Sequence, residues 1–148
     1  MNHKSHKLHT LYIVATACMA IATMPSCSYG DENAAEQRAK QFAQNYFNLR
    51  FKLASTLCTE NSEKWIRYHA ANINQKDLDA LNSQTDTAIC DINDINDNGN
   101  TAEVIITVKN FLSCDSIGKN GVINKEAHFR LNMKKTGDTW YVDLNRPL

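Results

Sequence analysis

The sequence predicts an α+β domain in which N-terminal helices pack on a curved, four-stranded antiparallel sheet. From about Asn33 to Gln84 the apolar residues recur at steps of three and four, the spacing of one helix face. After Gln84 the period changes to two, the mark of half-buried antiparallel strands. Between the alternating runs lie "NDNGN", "SIGKNG" and "KTGD", which carry the residues that tight turns require. Helices first and a strand meander second place the helices on one face of the sheet.

The first helix is read from Ala35, Ala39, Phe42, Tyr46, Leu49 and Leu53, a single apolar stripe. Asp31, Glu32 and Glu36 sit at its start, where the helix dipole favours negative charge. The run is long for one globular helix, so a bend is expected near Asn48 to Arg50, with a second short helix over Lys52 to Leu57. "TENSEKWIRYHAANI" reads as a third, with Trp65 and His69, and Ile66, Ala70 and Ile73, at helical spacing. "NQKDLDALNSQ" reads as a fourth, capped by Asn74 with Asp77 in the capping-box position. The inward sets of the strands are Ala88, Cys90 and Ile92; Ala102, Val104, Ile106 and Val108; Ile123, Ala127, Phe129, Leu131 and Met133; and Trp140, Val142 and Leu144.

The ends of the chain speak to location. Lys4 and Lys7 precede a charge-free apolar run, Leu11 to Met24, which is shorter than the roughly 20 residues of a permanent membrane span. A cationic start, a short apolar core and a break at Pro25 make a secretory signal. Met24-Pro25-Ser26-Cys27 resembles a loose bacterial lipobox, which implies a signal peptide over 1–26, a lipidated Cys27 carrying palmitate-type chains, and a short tether over 27–33. Residues 34–148 then form one domain. Acyl chains contribute about 0.8 kcal/mol per buried methylene, so a multiply acylated cysteine is a stable anchor. The expectation is a protein of the bacterial cell envelope, held by its N-terminal lipid to a membrane, the outer one, facing either periplasm or surface.

Formal net charge is zero over 148 residues. Without residues 1–27 there remain 14 basic and 16 acidic residues, a net of about −2, with no basic block. Nucleic acid is therefore not an expected partner, because it needs a concentrated basic face.

Two stretches, "AKQFAQNYFNLRFKLASTLCTENSEKWI" and "FRLNMKKTGDTWYVDL", resemble small envelope lipoproteins with a domain of unknown function of the nuclear-transport-factor-two-like, or cystatin-like, cone fold. The resemblance runs from about Ala34 to Leu144 and implies a conical hollow between helices and sheet. It fixes no function, since the fold hosts isomerases, dehydratases, transport adaptors and binding modules.

Cone-fold enzymes that move protons place a carboxylate or histidine in the hollow. The inward sets above contain no Asp, Glu or His, and His128 falls on the outer face between Glu126 and Arg130. No catalytic residue is assigned. Tyr46, Trp65, Tyr68 and His69 are the candidates to line a pocket from the helices. No metal site or cofactor is expected: C-x-x-C and H-x-x-x-H spacings and Gly-rich phosphate loops are absent from the mature chain. Asp91, Asp94 and Asp97 lack the alternate-residue spacing of a calcium loop and read as a solvated hairpin. Outside the cytoplasm thiols oxidise. Cys90 belongs to an inward set and Cys58 ends a helix facing it, so a Cys58–Cys90 bridge is expected. It would close a loop of about 30 residues and stabilise by about 3 kcal/mol. Cys114 is then the odd thiol near a turn, or it replaces one partner of the bridge.

The expected function is a non-enzymatic binding module for a partner protein or a small apolar ligand. The alternatives are a cone-fold enzyme, isomerase- or dehydratase-like, with a hydrophobic substrate, and a structural subunit. The outer sheet face, with Ile105, Lys109, His128 and Arg130, is too polar for an obligate dimer, so a monomer or weak homodimer is expected.

Overall fold

The structure, a computed structural model, describes residues 33–114 and 118–148. The apolar run Leu11–Met24, Cys27 and the tether lie outside the described residues, apart from Asn33. Among the described residues no helix is long and apolar enough to cross a membrane.

Four α-helices precede four strands: α1 Ala34–Phe47, α2 Phe51–Ser55, α3 Glu63–Asn72, α4 Gln75–Asn82, β1 Ile89–Asp97, β2 Thr101–Ser113, β3 Val122–Thr136 and β4 Thr139–Val142. The strands form one open, curved antiparallel sheet in the order β1-β2-β3-β4. This is the α+β architecture read from the periodicity.

Helix α1 starts where Asn33 accepts the Ala35 N–H, and it buries Ala35, Ala39, Phe42, Ala43, Tyr46 and Phe47. It lies across the sheet and touches all four strands. The expected bend is present: Leu49 adopts φ 56°, and a new helix begins at Phe51. The bend also breaks the stripe read from the sequence. Leu53 is 53 % exposed, and Ala54 and Leu57 take its place in the core. Ala70 likewise faces outward, because α3 buries Ile66 and His69 instead. Asn74 and Asp77 make the predicted capping box on α4. Asp77 is buried, and its second oxygen accepts the Gly121 N–H at 2.6 Å, which ties α4 to the β2–β3 connection.

The inward registers are as read except at Ile123, which is half-buried outside the core, while Ile92, Ala127 and Phe129 pack against the core half-buried. Ala102, Val104, Ile106, Val108, Leu131, Met133, Trp140, Val142 and Leu144 are all buried. His128 and Arg130 are exposed on the opposite face. Strand β1 departs from regularity between Ile92 and Asp94, where a bulge around Asn93 shifts the pairing with β2. Gly137 opens the two-residue β3–β4 turn at φ 59°, a conformation costly for any residue with a Cβ.

The Cys58–Cys90 bridge is not made: both are buried free thiols. Cys90 pairs with Val108 and is level with Ala127 of β3, whereas Cys58 bridges to Val142, level with Met133. Six strand residues span about 20 Å, against a Cα separation below about 7 Å for a disulfide. Both residues do face the core, but at opposite edges of the sheet.

Candidate functional site

The interior of the sheet's concave side is filled rather than hollow. Phe47 meets Phe111 and Phe129 with ring centroids at 5.3 and 4.7 Å. Tyr46 stacks on Phe42 at 5.6 Å and meets Phe47 edge-on at 5.3 Å. These rings come from α1, β2 and β3, and they close the space that the cone resemblance leaves open.

Of the four residues expected to line a pocket, the structure joins two. The Tyr46 hydroxyl and His69 Nδ1 are 2.6 Å apart, and the Leu148 N–H donates to the same hydroxyl at 3.2 Å. The buried Tyr46 hydroxyl has Nδ1 as the acceptor for its proton, so Tyr46 donates to Nδ1 and the histidine proton sits on Nε2. Nε2 is buried without a partner. Burial lowers the His69 pKa from 6.5 and holds the ring neutral. Burial also raises the Tyr46 pKa, outweighing the Leu148 N–H, so the phenol stays protonated. The pair is a neutral hydrogen-bonded couple with one spare donor, inside the core and not on an open cavity. Trp65 packs against the core from α3 under Lys64, while Tyr68, one turn further on, is 43 % exposed.

A substantial cavity among the described residues lies at the sheet edge, away from the residues expected to line a pocket. Strand β3 has fifteen residues, but β4 pairs only with Met133 to Thr136. The Asp143 N–H still donates to the Asn132 carbonyl at 2.7 Å. Beyond it the C-terminal arm, residues 143–148, leaves the strand and crosses to Tyr46. Three contacts fix its course. Thr59 donates to Asp143 at 2.7 Å, the Leu144 N–H donates to Ser62 at 2.7 Å, and the Leu148 N–H reaches Tyr46. A cleft of about 930 Å³ opens between the arm and His128, Phe129, Arg130 and Asn132 of β3. Its walls carry two arginines, Arg130 and Arg146, one acidic side chain, Asp143, and Leu148, the last residue of the sequence, with its α-carboxylate. Arg130 is 3.3 Å from Glu103 across the strands, while Arg146 makes no ion pair among the described residues.

His128 belongs to both this cleft and the outer face. Thr107 donates to the Asn93 side chain at 2.7 Å and so accepts from His128 Nδ1 at 2.9 Å. That leaves His128 Nε2 as an acceptor. The bulge in β1 is what brings Asn93 to this position.

Among the described residues no three His, Cys, Asp or Glu side chains gather as metal ligands. No family model and no curated protein matches the chain. Similar solved structures include the following two. One is a Campylobacter jejuni protein provisionally described as an NTF2-like transpeptidase. It is 14 % identical over 74 % of this chain and 97 % of its own, with a TM-score of 0.47. The other is a SEC-C motif containing protein from Rhodopseudomonas palustris. It is 12 % identical over 78 % of this chain and 81 % of its own, with a TM-score of 0.47.

Proposed function

We propose that this chain is a lipid-anchored, non-enzymatic binding module of the bacterial envelope, and that its ligand or partner docks in the cleft between β3 and the C-terminal arm. The observation that carries the reading is the contrast between the two spaces. The interior is packed with aromatic rings, while about 930 Å³ lies open at the sheet edge, close to the upper end for ligand clefts. The wall is mixed in character, with Phe129, Leu144 and Leu148 beside Arg130, Asn132 and Arg146. This moves the binding site from the hollow expected of a cone to its rim, and favours a partner with polar groups over a purely apolar molecule.

The anchor is supported by the charge-free run ending at Pro25 and by Cys27. Incorporation of labelled palmitate, abolished by Cys27→Ser, is the expected result. Cross-linking in the native membrane from a photoreactive residue at Asn145 tests the cleft. Adducts are expected there, and their absence alongside adducts from the outer face would move the site.

The enzyme reading keeps one observation in its favour, the spare His69 Nε2–H beside Tyr46. Under it, His69→Ala and Tyr46→Phe abolish a turnover while the domain stays folded. Under the binding reading they affect stability alone.

A further inference from the structure

We propose that the occupant of the cleft is an extended segment of a partner protein, which adds as a fifth strand to the open edge of β3 and places carboxylates beside Arg130 and Arg146. This rests on the cleft being the binding site. The phase of β3 is fixed by the bond from Asp143 N–H to the Asn132 carbonyl. Main-chain groups alternate along a strand, so the N–H and C=O of Arg130 and His128 point to the same open side as those of Asn132. The reciprocal bond from Asn132 N–H to Asp143 is not formed, although the two residues stand opposite each other. Among the described residues no strand pairs with β3 on that side before Met133. A row of five main-chain donors and acceptors therefore faces the cleft.

The other exposed edge of the sheet is protected against such pairing. Strand β1 is bulged at Asn93 and carries Asp91, Asp94 and Asp97, both recognised means of blocking strand addition. The outer edge of β4 is partly closed by Leu57 and Thr59, which exchange main-chain bonds with Val142. Strand β3 carries Lys125, Glu126 and Arg130 but no bulge: its pairing with β2 keeps one register from Thr101 to Ser113, so its open edge stays straight.

The walls say what the added strand carries. Successive side chains of such a strand alternate between the two sheet faces. Those on the inner face would meet Phe129 and the arm's leucines, and those on the outer face would stand beside His128 and Arg130. Arg130 is shared with Glu103, whereas Arg146 makes no ion pair among the described residues and offers a carboxylate a partner, so the favoured segment alternates apolar and acidic residues.

The test pans a random twelve-residue phage library on the full chain in mild detergent. Enrichment of alternating apolar and acidic residues is expected, with binding of the winning peptide weakened about tenfold or more by Arg146→Glu. N-methylation of every second peptide amide is then applied in both phases. One phase removes the bonds to β3 and abolishes binding, while the other leaves it within about twofold. Arg130→Pro repeats this from the protein side, since the lost N–H serves the open edge and not the β2 ladder. Equal sensitivity to both methylation phases, or winners without acidic residues, would overturn the strand addition. A small molecule lost on Arg146→Glu, with no peptide enriched, would overturn the peptide and leave the cleft as the site. Ligands indifferent to Arg146→Glu and Arg130→Pro would overturn both. A concentration-dependent dimer that protects the β3 amides, with no peptide enriched, would assign the edge to a second copy of this chain instead.

Discussion

Tyr46→Phe isolates one hydroxyl at the centre of the fold. The ring keeps its shape and its stacking on Phe42, so the change is in hydrogen bonding alone. Two groups lose a partner. The Leu148 N–H is only half-buried and reaches water, so it contributes little. His69 Nδ1 belongs to a residue 6 % exposed and already carrying an unpartnered Nε2–H. Leaving a buried acceptor unsatisfied costs about 1–3 kcal/mol. For a domain of this size about 2 kcal/mol is a fall in Tm of about 6–10 °C. Removing both polar partners is nearly neutral by the same reasoning, so Tyr46→Phe/His69→Phe should recover more than half of the loss. Calorimetry at pH 7.5 reads both. The pH profile adds a sign. The folded His69 pKa lies below 6.5, so the unfolded chain takes the proton first as pH falls. Stability is therefore full above about pH 6.5 and is lost as pH falls toward the folded value, and His69→Phe flattens this slope. A Tyr46→Phe variant within about 1 °C of the parent, or a double variant whose losses simply add, would refute the buried couple.

Asp77→Ala removes the acceptor of both the Asn74 and Gly121 N–H groups, and urea unfolding should show a loss of about 2–3 kcal/mol. Gly137→Ala forces a Cβ into φ 59° and should cost about 1 kcal/mol by the same measurement. Burial pushes the Cys58 thiol up to about 11 and Cys90 up to about 12, so both should resist iodoacetamide at pH 8 until the chain unfolds. Peptide mapping without reductant should find no Cys58–Cys90 species.

The strand registers were legible because a period of two leaves little choice once one face must be buried. Val104, Ile106 and Val108 could face only inward, and that also placed His128 outward. The capping box was legible because Asn74 and Asp77 are local, three residues apart. Leu53 was misread for a tertiary reason: the φ of 56° at Leu49 rotates everything after it, and the repeat of the apolar residues does not record where a stripe breaks. Cys58 and Cys90 were misread similarly. Each was correctly assigned to the core, but burial gives depth and not position along the sheet. The cleft left almost no trace in the sequence. It exists because β4 stops at Val142 while β3 is fifteen residues long, and a mismatch of lengths is not a motif. Pro147, which cannot extend a paired strand, was the one available hint.

Helix α1 touches all four strands, and this sets an order on the chain's making. The face bearing Phe42 and Tyr46 is synthesised first, and its cover is synthesised last. Arg38 waits for the Trp140 carbonyl, to which it donates at 3.0 Å across about a hundred residues. Until β4 is complete, the aromatic helix lies on β1, β2 and β3 with one edge of its cover missing. Contacts that join the first helix to the last strand are long-range in sequence, so the native packing of α1 is complete only when the final residues are in place.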